Sequence, residues 1–109
     1  MESIPNWEDF ISSTLRAMSD GKTRSRREVY PLVADEAGLS ETQRSATLSS
    51  GQPVFENRIG WGLSLLAKTG ALNRPSRGEY VITDAGRHLL SRSASNLSQR
   101  DVKEAALDP

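Results

Sequence analysis

Residues 53–70 read PVFENRIGWGLSLLAKTG, which is the longest helical pattern in the sequence. Apolar side chains recur there at the spacing of one buried helix face. Pro53 suits a first helical turn, where its missing N–H has no helical partner, and Gly70 is typical of a residue that follows a helix end. The predicted buried residues are Phe55, Ile59, Leu63 and Leu66.

The opposite side of this helix is polar and chemically varied. At about 100° per residue, one face gathers an amide, an indole, a hydroxyl and an ammonium group, which is more variety than a merely solvated face requires. This face comprises Asn57, Gly60, Trp61, Ser64 and Lys68, with Arg58 on its flank and Gln52 just before the helix.

A β-hairpin is predicted immediately after the long helix. Residues 71–74 (ALNR) and 79–83 (EYVIT) have strand character, and the turn 75–78 (PSRG) contains both a Pro and a Gly. Arg74 and Arg77 would therefore lie near the tip of the hairpin. Thr83 or Asp84 would cap one further helix.

Three shorter helices are predicted before the long one. Ser followed three residues later by Glu or Gln, the capping-box pattern, occurs at 25–28 and again at 40–43. Pro31 suggests that the second helix starts late or bends. The expected bounds are residues 7–20, 25–37 and 41–48, with a basic loop, KTRSRR, at 22–27.

This order of elements predicts a mainly α fold with a small β-hairpin, the winged helix-turn-helix, over residues 1–93. After it, polar residues and serines replace the apolar pattern. We therefore expect residues 94–109 to be a flexible linker or tail toward a missing C-terminal domain. A short helix within 98–107 would be marginal alone.

Composition excludes several classes of protein. The 14 basic and 14 acidic residues balance, so net charge does not indicate a partner. The chain has no Cys and one histidine, His88, which predicts no metal site, no cofactor and no small-molecule substrate. It shows neither a signal peptide nor an apolar run of ~20 residues, so we expect a cytoplasmic protein without a membrane partner.

Residues 50–61 and 65–72, extended by 38–40 and 77–86, resemble the N-terminal domain of Mrr-type restriction proteins, and the resemblance covers about residues 4–91. It implies a winged helix that binds duplex DNA and is joined to a C-terminal nuclease that attacks modified foreign DNA. That nuclease is missing from this chain. The resemblance therefore implies a DNA-targeting module of an endonuclease, with a homodimer as an expected assembly, and not an enzyme by itself.

Two tripeptides imitate the acid-x-Lys element of restriction nucleases, Asp20-Gly21-Lys22 and Asp101-Val102-Lys103. Such an element needs a central strand and a second acid to hold a divalent ion. Neither tripeptide has that context, so we predict no catalytic residue.

Each candidate DNA contact has a structural alternative. Asn57 and Arg58 would reach base edges, or else Asn57 bridges locally and Arg58 pairs with Glu8 or Asp9. Gln52 would contact DNA or cap the helix. Trp61 would touch a sugar or a base methyl group, or else join the core.

The basic side chains would contact phosphates, or remain solvated. If the domain were instead a protein-interaction or dimerisation module, Trp61 and Tyr80 would form an apolar contact patch. The complete set of predicted DNA-binding residues is Gln52, Asn57, Arg58, Trp61, Ser64, Lys68, Arg74, Arg77, Arg24, Arg26 and Arg27.

Overall fold

A computed structural model describes residues 3–92 and 97–107. The strands are antiparallel and lie in the order β1-β3-β2. Helices and sheet together form a mainly α, winged-helix-like fold, which confirms the predicted fold class. The elements are a 3-10 helix Trp7–Asp9, α1 Phe10–Ala17, β1 Arg24–Ser25, α2 Arg26–Ala37, α3 Glu41–Ser45, α4 Val54–Lys68, β2 Leu72–Asn73, β3 Glu79–Ile82, α5 Asp84–Arg92 and α6 Gln99–Leu107.

Side-chain caps fix where the short helices begin and end. Ser25 Oγ accepts from the Glu28 N–H at 3.2 Å, and the Ser25 N–H donates to Glu28 Oε1 at 2.9 Å. Ser40 and Gln43 repeat this reciprocal pair at the start of α3. Gly38 ends α2 at a φ of 69°, the left-handed conformation that glycine adopts without strain.

Helix α2 runs through Pro31, so the prediction of a later start is wrong. The capping box sets the start at Arg26, and the proline ring is accommodated on the exposed side. As a result Arg26 and Arg27 occupy the first turn of α2 and are not in the predicted basic loop.

Strand β1 was not predicted, because two residues are too few to show a sequence pattern. It pairs with β3 in the register Arg24 to Tyr80 and Ser25 to Glu79. The Arg26 N–H then donates to the Gly78 carbonyl at 2.9 Å. These bonds attach the start of α2 to the turn end of the β2–β3 hairpin, so the two elements hold a fixed position relative to each other.

Helix α3 ends at Ser45, earlier than the predicted end near Leu48. The loop that follows bonds to itself: the Leu48 N–H donates to the Gln52 carbonyl at 2.8 Å, and the Val54 N–H donates to the Ala46 carbonyl at 2.9 Å. Because these groups bond across the loop, they do not continue the helix. The loop sets the start of α4.

The core is centred on α1, which packs on α2, α4 and α5. Its Phe10, Ile11 and Leu15 are fully buried, as is Met18, which directly follows the helix. The predicted inner face of α4 is confirmed, since its four residues are at most 7% exposed. On α2 the helical spacing predicts a buried face of Val29, Leu32, Val33 and Ala37, and the structure differs at two of these positions. Leu32 and Ala37 are partly exposed, and Tyr30 and Ala34 are buried instead.

Part of the predicted tail packs on the domain. Leu97 and Val102 are 4% and 1% exposed. The Leu97 N–H donates to Ser12 Oγ at 3.0 Å, and the Gln99 N–H donates to Glu8 Oε2 at 2.9 Å. Residues 93–96 lie outside the described part, so the predicted division at residue 93 stays a prediction. No described helix is long and apolar enough to cross a membrane.

Candidate nucleic-acid interface

The polar face of α4 is open to solvent. Ser64 and Lys68 are exposed, and Trp61 is 63% exposed, the larger value of the two exposed large apolar side chains in the described residues. The alternative that Trp61 joins the core is therefore wrong. Trp61 is therefore an apolar side chain open to solvent on an otherwise polar face.

A shallow pocket of about 310 Å³ lies between α4 and the first turns of α2. Gly60 keeps it open: a Cβ there would lie 3.9 Å from both Arg26 Nη1 and Tyr30 Oη, so any longer side chain would fill the space. The pocket is lined by Arg26, Tyr30, Gln52, Glu56, Asn57, Gly60, Trp61 and Ser64.

Tyr30 and Glu56 were not predicted as site residues. The helical pattern of α2 placed Tyr30 neither in the core nor at a site; the fold buries its ring and brings its hydroxyl group to the pocket. Burial raises the pKa of this phenol, with the nearby Glu56 carboxylate adding to the effect and Arg26 opposing it. Tyr30 therefore stays protonated at neutral pH. Glu56 lies one helical turn before Gly60, and this spacing was the sequence signal that could have identified it as a pocket residue.

Tyr80 holds two arginines at the junction of α2, the hairpin and α4. Its hydroxyl accepts from Arg26 Nη2 at 3.1 Å, and the guanidinium carbons of Arg26 and Arg74 lie 6.0 and 5.7 Å from its ring centre. Both distances fall within the range of a cation–π contact. In the described part of the chain neither arginine forms an ion pair, so two positive charges meet here without a carboxylate.

Arg24 differs from the neighbouring arginines because its positive charge is paired with a carboxylate. It donates to both carboxylate oxygens of Asp20, at 2.8 and 2.6 Å. This hydrogen bonding from Arg24, with a further bond from the Lys22 N–H, holds the pKa of Asp20 well below its usual range. The charge of Arg24 is therefore largely neutralised within the protein, whereas the exposed side chains of Arg27, Lys68 and Arg77 form no ion pair among the described residues.

Arg58 binds the N-terminal segment. Its Nη1 donates to the Ile4 carbonyl at 2.7 Å and to the Pro5 carbonyl at 2.9 Å. The alternative pairing with Glu8 or Asp9 does not form within the described chain. Because Arg58 is half-buried on the flank of α4, its present contacts fix the residues that lead into the 3-10 helix.

At the start of α4, Asn57 Nδ2 donates to Gln52 Oε1 at 3.3 Å. This is the local bridge considered above for Asn57. The bond uses one donor and one acceptor of the two amides, so each retains hydrogen-bonding capacity toward a ligand.

The interaction-module alternative required Trp61 and Tyr80 to share an exposed patch. Tyr80 is only 1% exposed. It therefore does not contribute a surface, and its role is to position the two arginines that it contacts.

Neither acid-x-Lys tripeptide lies on a strand. Asp20 is in the turn after α1, bound to Arg24, and Val102 faces the core from α6. His88 is on the exposed side of α5, the surface position predicted for it. Across residues 3–92 and 97–107, no three His, Cys, Asp or Glu side chains are grouped to hold a metal ion.

Comparison with known proteins agrees with the resemblance seen in the sequence. The family described as the Mrr N-terminal domain matches residues 7–92. A type IV methyl-directed restriction enzyme, EcoKMrr of Escherichia coli (strain K12), is 29% identical over 105 residues. The alignment covers 95% of this chain and 34% of that enzyme, so the chain spans about a third of the relative's length. No solved structure matches the chain.

Proposed function

Because the chain belongs to the Mrr N-terminal domain family, we propose that it binds duplex DNA with the polar face of α4 in the major groove. The observation that carries this proposal is the open face around Trp61, 63% exposed, with the Tyr80-held arginines Arg26 and Arg74 beside it. An α-helix fits the major groove, which is about 12 Å wide.

In this arrangement the start of α4 reads bases. The free amide groups of Gln52 and Asn57 suit the hydrogen-bonding edge of adenine, and Ser64 can bond to several bases. The indole of Trp61 offers an apolar surface to a base methyl group or a sugar. Contacts of this kind carry sequence information, unlike contacts to phosphates.

The hairpin and the first turn of α2 supply affinity. Arg74 and Arg77 contact the backbone on one side of the groove, and Arg26 and Arg27 contact it on another, with Lys68 at the far end of α4. The hydrogen bond between the Arg26 N–H and the Gly78 carbonyl, 2.9 Å long, keeps these two groups of cations at a fixed spacing. Arg24 contributes less, because Asp20 already neutralises it.

We propose further that the domain delivers a C-terminal nuclease to DNA and has no catalytic activity alone. The relative is described as a methyl-directed restriction enzyme, and this chain aligns with a third of it. In the parent protein, a second copy of the domain would add contacts and selectivity. Alone, with few phosphate contacts, the domain is expected to bind at micromolar concentration or more weakly.

Charge reversal in the hairpin tests the proposal by mobility shift. Arg77→Glu removes one phosphate contact and adds repulsion, so duplex affinity should fall and the salt slope should become shallower by about one. Arg100→Glu on α6 makes the same charge change at an exposed site away from the proposed surface, and should leave binding unchanged. Equal binding by wild type and Arg77→Glu would refute the proposal and favour a protein-interaction role.

A further inference from the structure

Glu56, in the first turn of α4, presents a carboxylate on the proposed DNA-binding side. It lines the pocket between α2 and α4 and is half-buried. Within the described residues it forms no ion pair and accepts no hydrogen bond, although the Arg26 guanidinium lines the same pocket. No side-chain oxygen in the described residues is buried without a partner, so the Glu56 carboxylate is reachable from solvent and offers a ligand an acceptor that no protein donor occupies.

The negative charge of the DNA phosphates adds a constraint on an acidic side chain at this position. A carboxylate close to the DNA backbone is repelled by it, so a DNA-binding face retains one without penalty only where a donor meets it. In the major groove the donors on base edges are the amino groups of cytosine (N4) and adenine (N6), and acidic side chains accept from such groups. The chemistry of Glu56 therefore matches a base amino group and no other part of the groove.

The pocket has the space for such an edge. Its volume is about 310 Å³, and it opens to solvent. Gly60 forms its floor, although glycine inside a helix costs about 1 kcal/mol relative to alanine. Trp61 stands at its rim and Tyr30, a protonated phenol, at its wall. The proposal places a base edge at this open pocket.

We propose that Glu56 is a specificity-determining residue that accepts a hydrogen bond from the exocyclic amino group of a cytosine or adenine in the major groove. This inference rests on the proposed function, since it places α4 in that groove. It adds a base-reading residue with negative charge to a surface that otherwise reads DNA through amides, an indole and cations.

Selection from a randomised duplex pool by the whole chain tests the inference, with Glu56→Ala and Glu104→Ala compared with wild type. Wild type should prefer a base with an amino group at one position by roughly 5- to 150-fold. Glu56→Ala should lose that preference and bind unselected duplex several-fold more tightly, because a repelling charge is gone. Glu104→Ala removes an exposed acid of α6 that pairs with Arg100, and should keep the wild-type preference.

Base analogues then identify whether the amino group that Glu56 contacts belongs to adenine or to cytosine. Purine in place of adenine, or pyrimidin-2-one in place of cytosine, deletes the amino group at the preferred position. The analogue that matches the selected base should reduce wild-type binding to the level of a mismatched site, and should not affect Glu56→Ala.

Identical preferences in wild type and Glu56→Ala, or no preference in wild type at any position, would overturn the inference and leave duplex binding intact. Failure of wild type to bind any duplex would overturn the proposed function, and the inference with it. Thermal unfolding of Glu56→Ala, monitored by circular dichroism, verifies that the variant is folded in both measurements.

Discussion

Duplex binding is expected to weaken steeply as salt is added, with a slope set by the cations that the fold leaves without a carboxylate. Of the seven basic residues predicted to contact DNA, Arg24 faces Asp20 and Arg58 is held by carbonyl oxygens, which leaves five. At about −0.9 per phosphate contact, five contacts give a slope of roughly −4.5 in log affinity against log salt. The five are Arg26, Arg27, Lys68, Arg74 and Arg77.

That slope predicts about a 500-fold loss of affinity when salt rises fourfold, from 50 to 200 mM. Fluorescence anisotropy of a labelled duplex, titrated with the chain at four or more salt concentrations, measures it directly. A slope shallower than about −2 would refute the assignment of these cations to phosphates, because fewer than three contacts would then remain.

Two nearby arginines, one in an ion pair and one not, allow a matched test of this salt slope. Arg26→Gln should make the slope shallower by about one, since Arg26 is unpaired and held on Tyr80. Arg24→Gln makes the same change two residues away and should leave the slope unchanged, because Asp20 already neutralises Arg24. The opposite pattern, with Arg24 affecting the slope and Arg26 not, would show that the pairing in the free protein does not govern DNA contacts.

Three further predictions concern the scaffold, and urea unfolding measures each. Gly86→Ala should destabilise by about 1–3 kcal/mol or more, because the new Cβ would overlap the Ala71 carbonyl oxygen and lie 2.9 Å from Ile82 Cγ1; wild-type stability would contradict this packing. Ser25→Ala should cost about 1 kcal/mol through loss of the α2 cap, and an unchanged midpoint would mean that the capping box contributes nothing. Val102→Ala should cost about 2 kcal/mol from two buried methyl groups, unless α6 is undocked in solution, in which case no loss would be seen.

Local chemistry made most of the helical framework predictable from the sequence. The start and end signals of these helices are local: the reciprocal caps at 25–28 and 40–43, and the glycine at residue 38. Because each involves only residues a few positions apart, it predicts the same helix boundary whatever the overall fold. The long apolar stripe of α4 likewise identified its buried face without knowledge of a partner. The polar face of α4 followed from the same stripe, and the hairpin arginines followed from the Pro and Gly of the 75–78 turn. The role of both in DNA binding stays a prediction.

What the sequence did not reveal depends on contacts between distant residues. Strand β1 exists only because Arg24 and Ser25 pair with Tyr80 and Glu79, more than 50 positions away, and two residues show no periodicity. Docking of the tail depends on a hydrogen bond from Leu97 to Ser12, across 85 positions. A polar segment with few apolar residues gives no sign of such a contact before the fold is known.

The pocket was missed for a similar reason. The helical pattern of α2 did not place Tyr30 in the core or at a site, and Glu56 reads as an ordinary acid near a helix start. Their functional meaning arises only where α2 and α4 approach each other over Gly60. For Trp61 the sequence left both burial and exposure open, because indole side chains are usually buried. Only the fold shows that it is exposed.

Chemical-shift mapping of the labelled chain with a short duplex tests the proposed interface most directly. Titration at low and moderate salt, with methylated and unmethylated duplexes of the same sequence, would locate the binding surface residue by residue. We expect the largest amide shifts along α4 from Asn57 to Lys68, in the 74–78 turn and at Arg26. Shifts gathered instead on α5 and α6, or absent at saturating duplex, would contradict binding through this face.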